Sequence, residues 1–312
     1  MIPRYCPLLK CAQIEIDDLE VGVSYVDTDT GSDEVVVTKL SVVADDWMGH
    51  EGFVEVDPIL RQHHETLEDI KWDVKPERDF HHLDNMQYPR LKTLSLLTSA
   101  PSIVQNAPIV LEELRISLKA IHADPTILDT IPSTLKKLEL ELDARSEPGD
   151  ANAIGQYLHR ASQQSKLRGL AIDFRLPSAF ENLFHIIYRF NMLERLMLSF
   201  DSTWDQGRME GFLERLVNEC PHLSFLDIDC NHAPSTHSIN VLKRLGHLKE
   251  LAFSIQGTDF CESFWHALRT FSQLKSIRIR HQNSVNKIQI QRLKEYRRDM
   301  NIIDADRLII SF

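Results

Sequence analysis

Long apolar segments and positive net charge are both missing from this 312-residue sequence. No run of about 18 apolar residues occurs, so we expect no membrane-spanning helix. The formal net charge is −11 at pH 7, which argues against a general affinity for nucleic-acid phosphates or for an anionic membrane surface. We therefore expect neither nucleic acid nor a membrane among its partners.

Cysteine is scarce, and its number and spacing argue against a disulfide framework. The chain has five cysteines, an odd number, and no Cys-x-x-Cys pair. This pattern indicates free thiols in a reducing compartment. The first 20 residues lack a continuous apolar segment and turn acidic, so we expect no secretory signal. The predicted location is cytoplasmic or nuclear.

The common catalytic and phosphate-binding motifs are missing as well. The sequence has no Gly-x-x-x-x-Gly-Lys-[Ser/Thr] loop and no Gly-x-Ser-x-Gly elbow. Two histidine pairs, His63 with His64 and His81 with His82, lack the spaced partner of a zinc-binding helix. We interpret them as solvated residues and expect no catalytic residue, metal or cofactor. The alternative that stays open is an enzyme with a site among these histidines in the N-terminal third.

What the sequence does contain is one eight-residue pattern, found eight times. Each copy has an aliphatic residue at positions 1 and 4 and an apolar residue at position 6, as in "LEELRISL" and "LKKLELEL". Near-regular recurrence of this kind is typical of repeat proteins. The copies begin at Leu91, Leu111, Leu135, Leu167, Leu193, Leu223, Leu248 and Leu274.

The pattern predicts a strand followed by a helix in each repeat. Positions 4, 6 and 8 of a strand share one face, and positions 3, 5 and 7 share the other. Amphipathic segments lie between the strands: "GFLERLVNEC" has an apolar stripe at 212, 213, 216 and 217, and "ESFWHALRTF" has one at 264, 268 and 271. A single strand and helix cannot bury their apolar face alone, but stacked copies can. The predicted fold is an α/β leucine-rich-repeat solenoid, with parallel strands on the concave face and helices on the convex face.

Fainter copies extend this prediction toward both ends of the chain. "LEDIKWD" at Leu67 keeps the first two anchors. Two further segments are plausible strands: "VVVTKLSVV", around Val37 to Val43, and "LLKCAQIEI", near Leu9. "DRLIISF" at the C-terminus resembles a final strand that closes the stack. We therefore predict one domain over residues 1–312. It has weakly marked repeats over 1–90, clear repeats over 91–282, and a C-terminal helix and capping strand over 283–312.

The segment "CPHLSFLDIDCN", residues 220 to 231, has two interpretations. Its cysteines, histidine and aspartates suggest a metal cluster at first sight, but the segment is in phase with the repeat. On that phase Cys220 ends a helix and Cys230 points into the stack. Asp227 and Asp229 then point to the opposite face, so they cannot share one metal with the cysteines. We predict a repeat and no metal site.

The strand pattern and two Cys-Pro-x-Leu segments, at 6–9 and 220–223, resemble the cysteine-containing leucine-rich repeats of F-box proteins of the fungal type. In that family a helix ends in Cys-Pro-x-Leu and runs straight into a strand. The resemblance covers residues 90 to 280 well and the first 90 poorly. It implies the substrate-binding part of a ubiquitin-ligase receptor, in which the solenoid binds a protein and an adaptor brings the ubiquitin machinery.

The F-box of that family is expected to be absent here. An F-box begins with Leu-Pro, whereas the first residues of this chain already match a repeat. The nearest Leu-Pro start, at Leu176, lies between two predicted strands, where a repeat helix is expected. A Skp1-type adaptor is therefore expected as a partner only if an F-box lies upstream of Met1. The alternative is a stand-alone repeat protein that assembles a complex without a role in ubiquitin chemistry.

Side chains at positions 3, 5 and 7 form the predicted concave face, and we place a protein-binding surface there. Met197 and Phe225 are apolar where solvent is expected, and both residue types are common at interfaces. Acidic residues dominate until Arg278 and Arg280 close the row, so we expect a partner with a basic segment and an apolar anchor. The predicted binding residues are Arg115, Lys137, Glu139, Glu141, Asp173, Arg195, Met197, Phe225, Asp227, Asp229, Glu250, Arg278 and Arg280.

Overall fold

A computed structural model describes most of the chain. The described residues are 11–16, 19–27, 35–44, 56–74, 86–96, 110–123, 125–142, 148–164, 166–174, 181–200, 205–229, 234–255, 262–281 and 284–305. The chain divides into two compact units. Unit 1 comprises Met1–Tyr157 and Gln164–Lys166, and unit 2 comprises Leu158–Gln163 and Leu167–Phe312. The prediction of a single domain stays a prediction.

Unit 1 contains seven described strands and three described helices that lie wholly within it. They are β1 (Cys11–Ile16), β2 (Leu19–Asp27), β3 (Val35–Ala44), α1 (Val56–His63), β4 (Asp69–Val74), β5 (Thr93–Leu96), β6 (Glu113–Ser117), α2 (Leu118–Ala123), α3 (Ile127–Thr130) and β7 (Lys137–Leu142). Helix α4 (Pro148–Gln164) has residues in both units. From β3 to β7 each strand pairs in parallel with the next one along the chain.

The first three strands of unit 1 depart from the repeat. The segment near Leu9 is a strand at Cys11–Ile16, as predicted, but its place as a first parallel repeat is wrong. β1 pairs with β2, and β2 with β3, in antiparallel fashion. Only residues 17 and 18 separate β1 from β2. So short a connection allows a hairpin, whereas parallel neighbours need a crossover of about a dozen residues.

Unit 2 is regular throughout its described residues. Its elements are β8 (Gly169–Phe174), α5 (Glu181–Ile187), β9 (Arg195–Phe200), α6 (Gln206–Glu219), β10 (Phe225–Asp229), α7 (Thr236–Leu242), β11 (Glu250–Ile255), α8 (Glu262–Arg269), β12 (Ser276–His281), α9 (Ser284–Tyr296) and β13 (Asn301–Ala305). All neighbouring strands from β8 to β13 are parallel. The segment that begins with Leu-Pro at Leu176 contains α5, so the predicted repeat helix is confirmed there.

One backbone arrangement recurs at the entry to seven of the described strands, namely β5, β6, β7, β9, β10, β11 and β12. The N–H groups at positions 2 and 3 both donate to the position 2 carbonyl of the preceding repeat. Lys136 and Lys137 bond to the Glu112 carbonyl at 2.8 and 3.0 Å, and the same arrangement recurs in unit 2, where Ser224 and Phe225 bond to the Glu194 carbonyl. These bonds fix the register of each repeat on the one before it. Side chains at one position therefore lie in a row across neighbouring strands.

The core of each unit is formed by the predicted anchors. Every side chain at positions 1, 4 and 6 is buried, from the copy at Leu67 to the copy at Leu274. Burying a side chain of this size contributes about 1.5–3 kcal/mol. The apolar stripes of α6 and α8 are buried as predicted, and the Phe264 ring of α8 packs edge-on against Phe253 of β11 with centroids 6.0 Å apart. The helices thus cover the sheet face that carries positions 4 and 6.

The last described repeat replaces an apolar residue with an arginine. In earlier repeats of unit 2 the third residue before the position 1 leucine is buried and apolar, as Phe190 and Phe271 are. Arg297 follows α9 and is 7% exposed. Its guanidinium donates to the carbonyls of Phe271 and Leu274 at 2.9 and 3.1 Å, which satisfies turn carbonyls of the previous repeat. The predicted strand in "DRLIISF" lies outside the described residues.

Parallel strands that alternate with helices give the α/β architecture that a repeat solenoid requires. This alternation holds in unit 2 from β8 to β13. In unit 1 the strands from β3 to β7 are parallel, with described helices between β3 and β4 and between β6 and β7. None of the described helices is both long enough and apolar enough to cross a bilayer. The predicted surface of positions 3, 5 and 7 belongs to the sheet face that the helices leave uncovered, and we call it the odd face.

Candidate protein-recognition surface

The odd face of unit 1 carries charges that are already paired with one another. Arg115 of β6 lies between two carboxylates of β7, with Nε 3.0 Å from Glu139 and Nη2 3.1 Å from Glu141. Lys137 of β7 donates back to Glu113 of β6 at 3.1 Å. These side chains are partly exposed, between 16% and 45%. The four predicted binding residues of unit 1 therefore take part in cross-strand ion pairs that solvent can reach.

Toward the N-terminal side of the same face, a further pair joins β3 and β4. Lys39 Nζ lies 3.6 Å from the Asp69 carboxylate. Partial burial raises the pKa of the Asp69 carboxyl, and the nearby ammonium opposes that shift without cancelling it. Burial therefore disfavours the charged form of Asp69 more strongly than the lysine favours it.

Between these two groups lie Lys71 and Ser95, whose side chains have no polar partner among the described residues, and they share a row with the paired Arg115. Lys71 of β4, Ser95 of β5 and Arg115 of β6 all stand at position 5 and are register neighbours. Lys71 is exposed, and its side chain makes no ion pair or hydrogen bond with another residue that the structure describes. The Ser95 hydroxyl is inaccessible to solvent and has no hydrogen-bond partner. The Arg115 Nε–H is also buried and makes no aligned hydrogen bond, although Glu139 is in ion-pair range.

The odd face of unit 2 is built around a buried ion pair. Arg280 of β12 reaches across β11 and binds both oxygens of Asp227 on β10, with Nη1 3.0 Å from Oδ2 and Nη2 on Oδ1. Its Nε donates to the Ser254 hydroxyl at 3.0 Å, and that hydroxyl donates to Asp229. Both charged side chains are under 5% exposed, at 4% for the arginine and 3% for the aspartate.

This arrangement overturns the expected exposure of two predicted residues. Asp227 and Arg280 lie on the odd face, but both are buried, and their role in binding stays a prediction. One of the two closing basic residues is paired with one of the acidic residues. Arg280 folds back onto Asp227 because an isolated charge removed from water is costly, and the two-strand reach of arginine lets each charge neutralise the other.

The predicted apolar anchor of unit 2 is covered by a cation. Phe225 is only 8% exposed, and the Arg195 guanidinium lies over its ring, 4.1 Å from the centroid. Its predicted exposure is therefore wrong: the register neighbour on β9 shields it by a cation–π contact. Met197 is half-buried rather than exposed.

The other predicted residues of unit 2 keep some access to solvent. Asp173, Asp229 and Arg278 are half-buried, and Glu250 is exposed. Asp173 and Asp229 are aligned at position 7, two strands apart, with Ser199 between them. The accessible charge on this face is therefore carried by these four residues and by Arg195.

The segment at 220–229 has the repeat geometry. Cys220 ends α6, and its Sγ lies 3.7 Å from the Phe190 carbonyl. Burial raises the pKa of this thiol to about 12, so it stays protonated at neutral pH. Leu223, Leu226 and Ile228 are buried as predicted. Cys230 lies outside the described residues.

The histidines of the N-terminal third are only partly described. His64 follows α1, and its Nδ1 lies 3.0 Å from the Gln87 carbonyl. His81 and His82 lie outside the described residues. Within the described ranges, no three residues of the His, Cys, Asp and Glu types converge as a metal site would require.

Side chains of the helix layer in unit 2 link consecutive repeats. His159 Nδ1 accepts from Arg189 at 2.9 Å, and His185 Nδ1 accepts from Arg215 at 3.2 Å. These contacts join the outer surfaces of neighbouring helices. They assign the histidines on this side a packing role.

Comparison with known proteins adds no family. No protein-family model matches the chain, and no curated protein matches it significantly. The leucine-rich-repeat and F-box resemblance therefore stays an expectation from the sequence.

Two residues of interest were missed because the predicted surface began at Arg115. Lys71 and Ser95 occupy position 5 of the copies at Leu67 and Leu91. Counting these weaker copies in the same way would have placed both residues on the odd face. Their lack of partners, in contrast, depends on side-chain geometry that no pattern records.

Proposed function

We propose that this chain is a non-catalytic protein-recognition scaffold that binds its partner through the odd face. The observation that carries the proposal is the pre-paired charge network of Arg115, Glu139 and Glu141 on two adjacent strands. Side chains that are already held in one geometry lose little conformational entropy on binding. Rows of such side chains on strands about 4.8 Å apart suit an extended protein surface.

The finer form of the proposal is the substrate-binding part of a ubiquitin-ligase receptor, similar to that of F-box proteins. Its support is the Cys-Pro-x-Leu segment at Cys220, where a helix ends and leads directly into a strand. A Skp1-type adaptor should then co-purify with the protein as it is made in its own cells. Recovery of odd-face partners without such an adaptor would favour the stand-alone scaffold.

The test compares two surfaces of unit 2 with matched charge changes. The odd-face variant is Arg278→Glu with Glu250→Lys, and the helix-side control is Arg292→Glu with Glu295→Lys on α9. All four side chains are half-buried or exposed, so the fold should tolerate both variants. Each version is used for proximity labelling in cells, and binding of the identified partner is then measured by calorimetry with purified proteins.

The expected result is loss of partner binding in the odd-face variant and retention in the helix-side control. Reversing rim charges should weaken binding by about tenfold or more when like charges are brought together. Loss in the control alone would place the partner on the helices and contradict the proposal. Equal binding by all three versions would contradict an odd-face role for unit 2.

A further inference from the structure

The strongest unassigned feature is a row of three hydrogen-bond donors on the odd face of unit 1. It consists of Lys71, Ser95 and Arg115, on β4, β5 and β6. Among the residues that the structure describes, the Lys71 ammonium has no carboxylate partner and the Ser95 hydroxyl is buried without a hydrogen bond, while the buried Arg115 Nε lies 3.0 Å from Glu139. Buried polar atoms nearly always have partners, so the unpaired Ser95 hydroxyl between two cationic side chains indicates that an accepting group is missing.

The charges nearby show that the unpaired ammonium is an exception. Lys39 is paired with Asp69, and Lys137 with Glu113. Lys92, at position 2 beside this row, is paired with Glu68 at 2.9 Å. Lys71 alone among these lysines has no acidic partner. A chain with a net charge of −11 does not lack carboxylates, so an ammonium left without one on this face is available to a ligand.

We propose that this row binds the carboxylate of an acidic side chain of the protein partner, which would accept hydrogen bonds from Lys71 and Ser95 beside Arg115. The proposal rests on the recognition function above and specifies one of its contacts. A carboxylate has two oxygens and about four lone-pair sites, which suffice for these donors.

The local charge balance selects a monoanion. Arg115 already faces the carboxylates of Glu139 and Glu141, at 3.0 and 3.1 Å. A phosphoryl group carries a charge of about −1.5 to −2, so these two glutamates would repel it more strongly than they repel a carboxylate. A carboxylate that binds Lys71 compensates one positive charge with one negative charge.

Access to the site depends on long side chains. The Ser95 hydroxyl is not in contact with solvent, whereas Lys71 is exposed. The ligand therefore meets the ammonium first, and we expect a rotamer change of Lys71, which no ion pair to a described residue holds, to open the hydroxyl. Such changes are fast and cost little for side chains of this length.

The experiment titrates the full chain with sodium acetate and follows its backbone amides by NMR. Sodium chloride at equal ionic strength is the reference, and inorganic phosphate is the third titrant. We expect saturable acetate-specific shifts at Lys71, Ser95 and Arg115. Lys71→Met should weaken acetate binding by about tenfold, as loss of a charge-assisted hydrogen bond does. Lys92→Met, a neighbouring lysine already paired with Glu68, should leave it unchanged.

Ser95→Ala separates a binding role from a structural one. Removing a buried hydroxyl without a partner should raise the denaturation midpoint of the protein while it weakens acetate binding. A hydroxyl with a purely structural role would lower the midpoint when removed. Such a decrease in the midpoint would overturn the assignment of Ser95.

Two further outcomes would overturn the proposal. Acetate shifts that match those of chloride would show that the row binds no carboxylate. Tighter binding of phosphate than of acetate would assign the site to a phosphoryl group. Neither outcome would contradict the recognition function, because the Arg278 and Glu250 variants test that function on unit 2.

Discussion

The two units arrange charge on the same sheet face in opposite ways. In unit 1 the ion pairs of Arg115 and Lys137 stay partly exposed and join adjacent strands. In unit 2 the pair of Arg280 with Asp227 is buried and spans three strands. The repeat therefore determines the position of a side chain on the sheet, whereas the neighbouring side chains determine its exposure to solvent. An exposed network suits recognition, whereas a buried pair holds the sheet together.

The largest expected effect comes from removing one half of the buried pair. Asp227→Ala leaves Arg280 buried without its carboxylate and should lower the free energy of unfolding by about 3–5 kcal/mol. Urea denaturation followed by circular dichroism measures this loss. The double variant Asp227→Leu with Arg280→Met should recover most of it, because no charge remains buried. A loss below about 1 kcal/mol for the single variant would contradict the contrast between the two faces.

The next largest effect is a pH dependence of the free energy of unfolding that is caused by the buried thiol of unit 2. Burial raises the pKa of Cys220 from its ordinary 9.0 to about 12. Its contribution to stability is complete below pH 9 and declines as the unfolded state ionises above it, by up to about 1.4 kcal/mol per pH unit. Denaturation at pH 8, 9 and 9.5 should therefore show a fall that Cys220→Ala reduces.

The range below pH 10 isolates this group from its neighbour. Burial also raises the pKa of Tyr188, from 10.0 to about 12, so that residue contributes only at higher pH. An identical pH slope with and without Cys220 would contradict the inferred burial of the thiol.

A smaller effect is expected when the same kind of experiment is made in unit 1. Arg115→Met leaves Glu139 and Glu141 without their cation, but both carboxylates are partly exposed, at 16% and 39%. Water can solvate them, so the free energy of unfolding should fall by about 1 kcal/mol. Comparison with Asp227→Ala in the same denaturation assay gives the difference between the faces. Equal losses would remove the distinction.

The smallest change in the free energy of unfolding is expected for an exposed ion pair between two position 2 residues of neighbouring repeats. Lys92 pairs with Glu68 at 2.9 Å, but the two side chains are 54% and 40% exposed. Lys92→Ala should change the free energy of unfolding by less than about 0.5 kcal/mol, and 0.5 M salt should erase even that difference. A loss above about 1 kcal/mol would mean that exposed pairs also stabilise the sheet.

The strand positions could be predicted because an eight-residue pattern records burial directly. Leu114, Leu138 and Leu226 are buried for the same reason, and even Trp72 in a weak copy follows the rule. The hairpin of β1 and β2 did not follow it, since apolar alternation is the same in parallel and antiparallel strands. Only the short connection between these strands distinguishes the two.

The exposure of side chains on the odd face was harder to predict. The pattern shows at which strand position a residue lies but not which side chains surround it. Asp227 and Phe225 occupy positions that face away from the helices, so both were expected to be exposed. Their burial results from side chains two strands and one strand away, Arg280 and Arg195. Pairings of that kind depend on side-chain length and direction, which one sequence does not reveal.

The bond between Asp227 and Arg280 also has a consequence for how the chain folds. It joins residues 53 apart, whereas the ion pair of Lys92 with Glu68 joins residues 24 apart. Contacts between adjacent repeats can form one step at a time, but this bond forms only after β10, β11 and β12 have all docked. Unfolding of any one of these strands exposes the pair. We therefore expect three repeats of unit 2 to open as a single cooperative block in hydrogen exchange, with slower nucleation than a solenoid held by nearest-neighbour contacts alone.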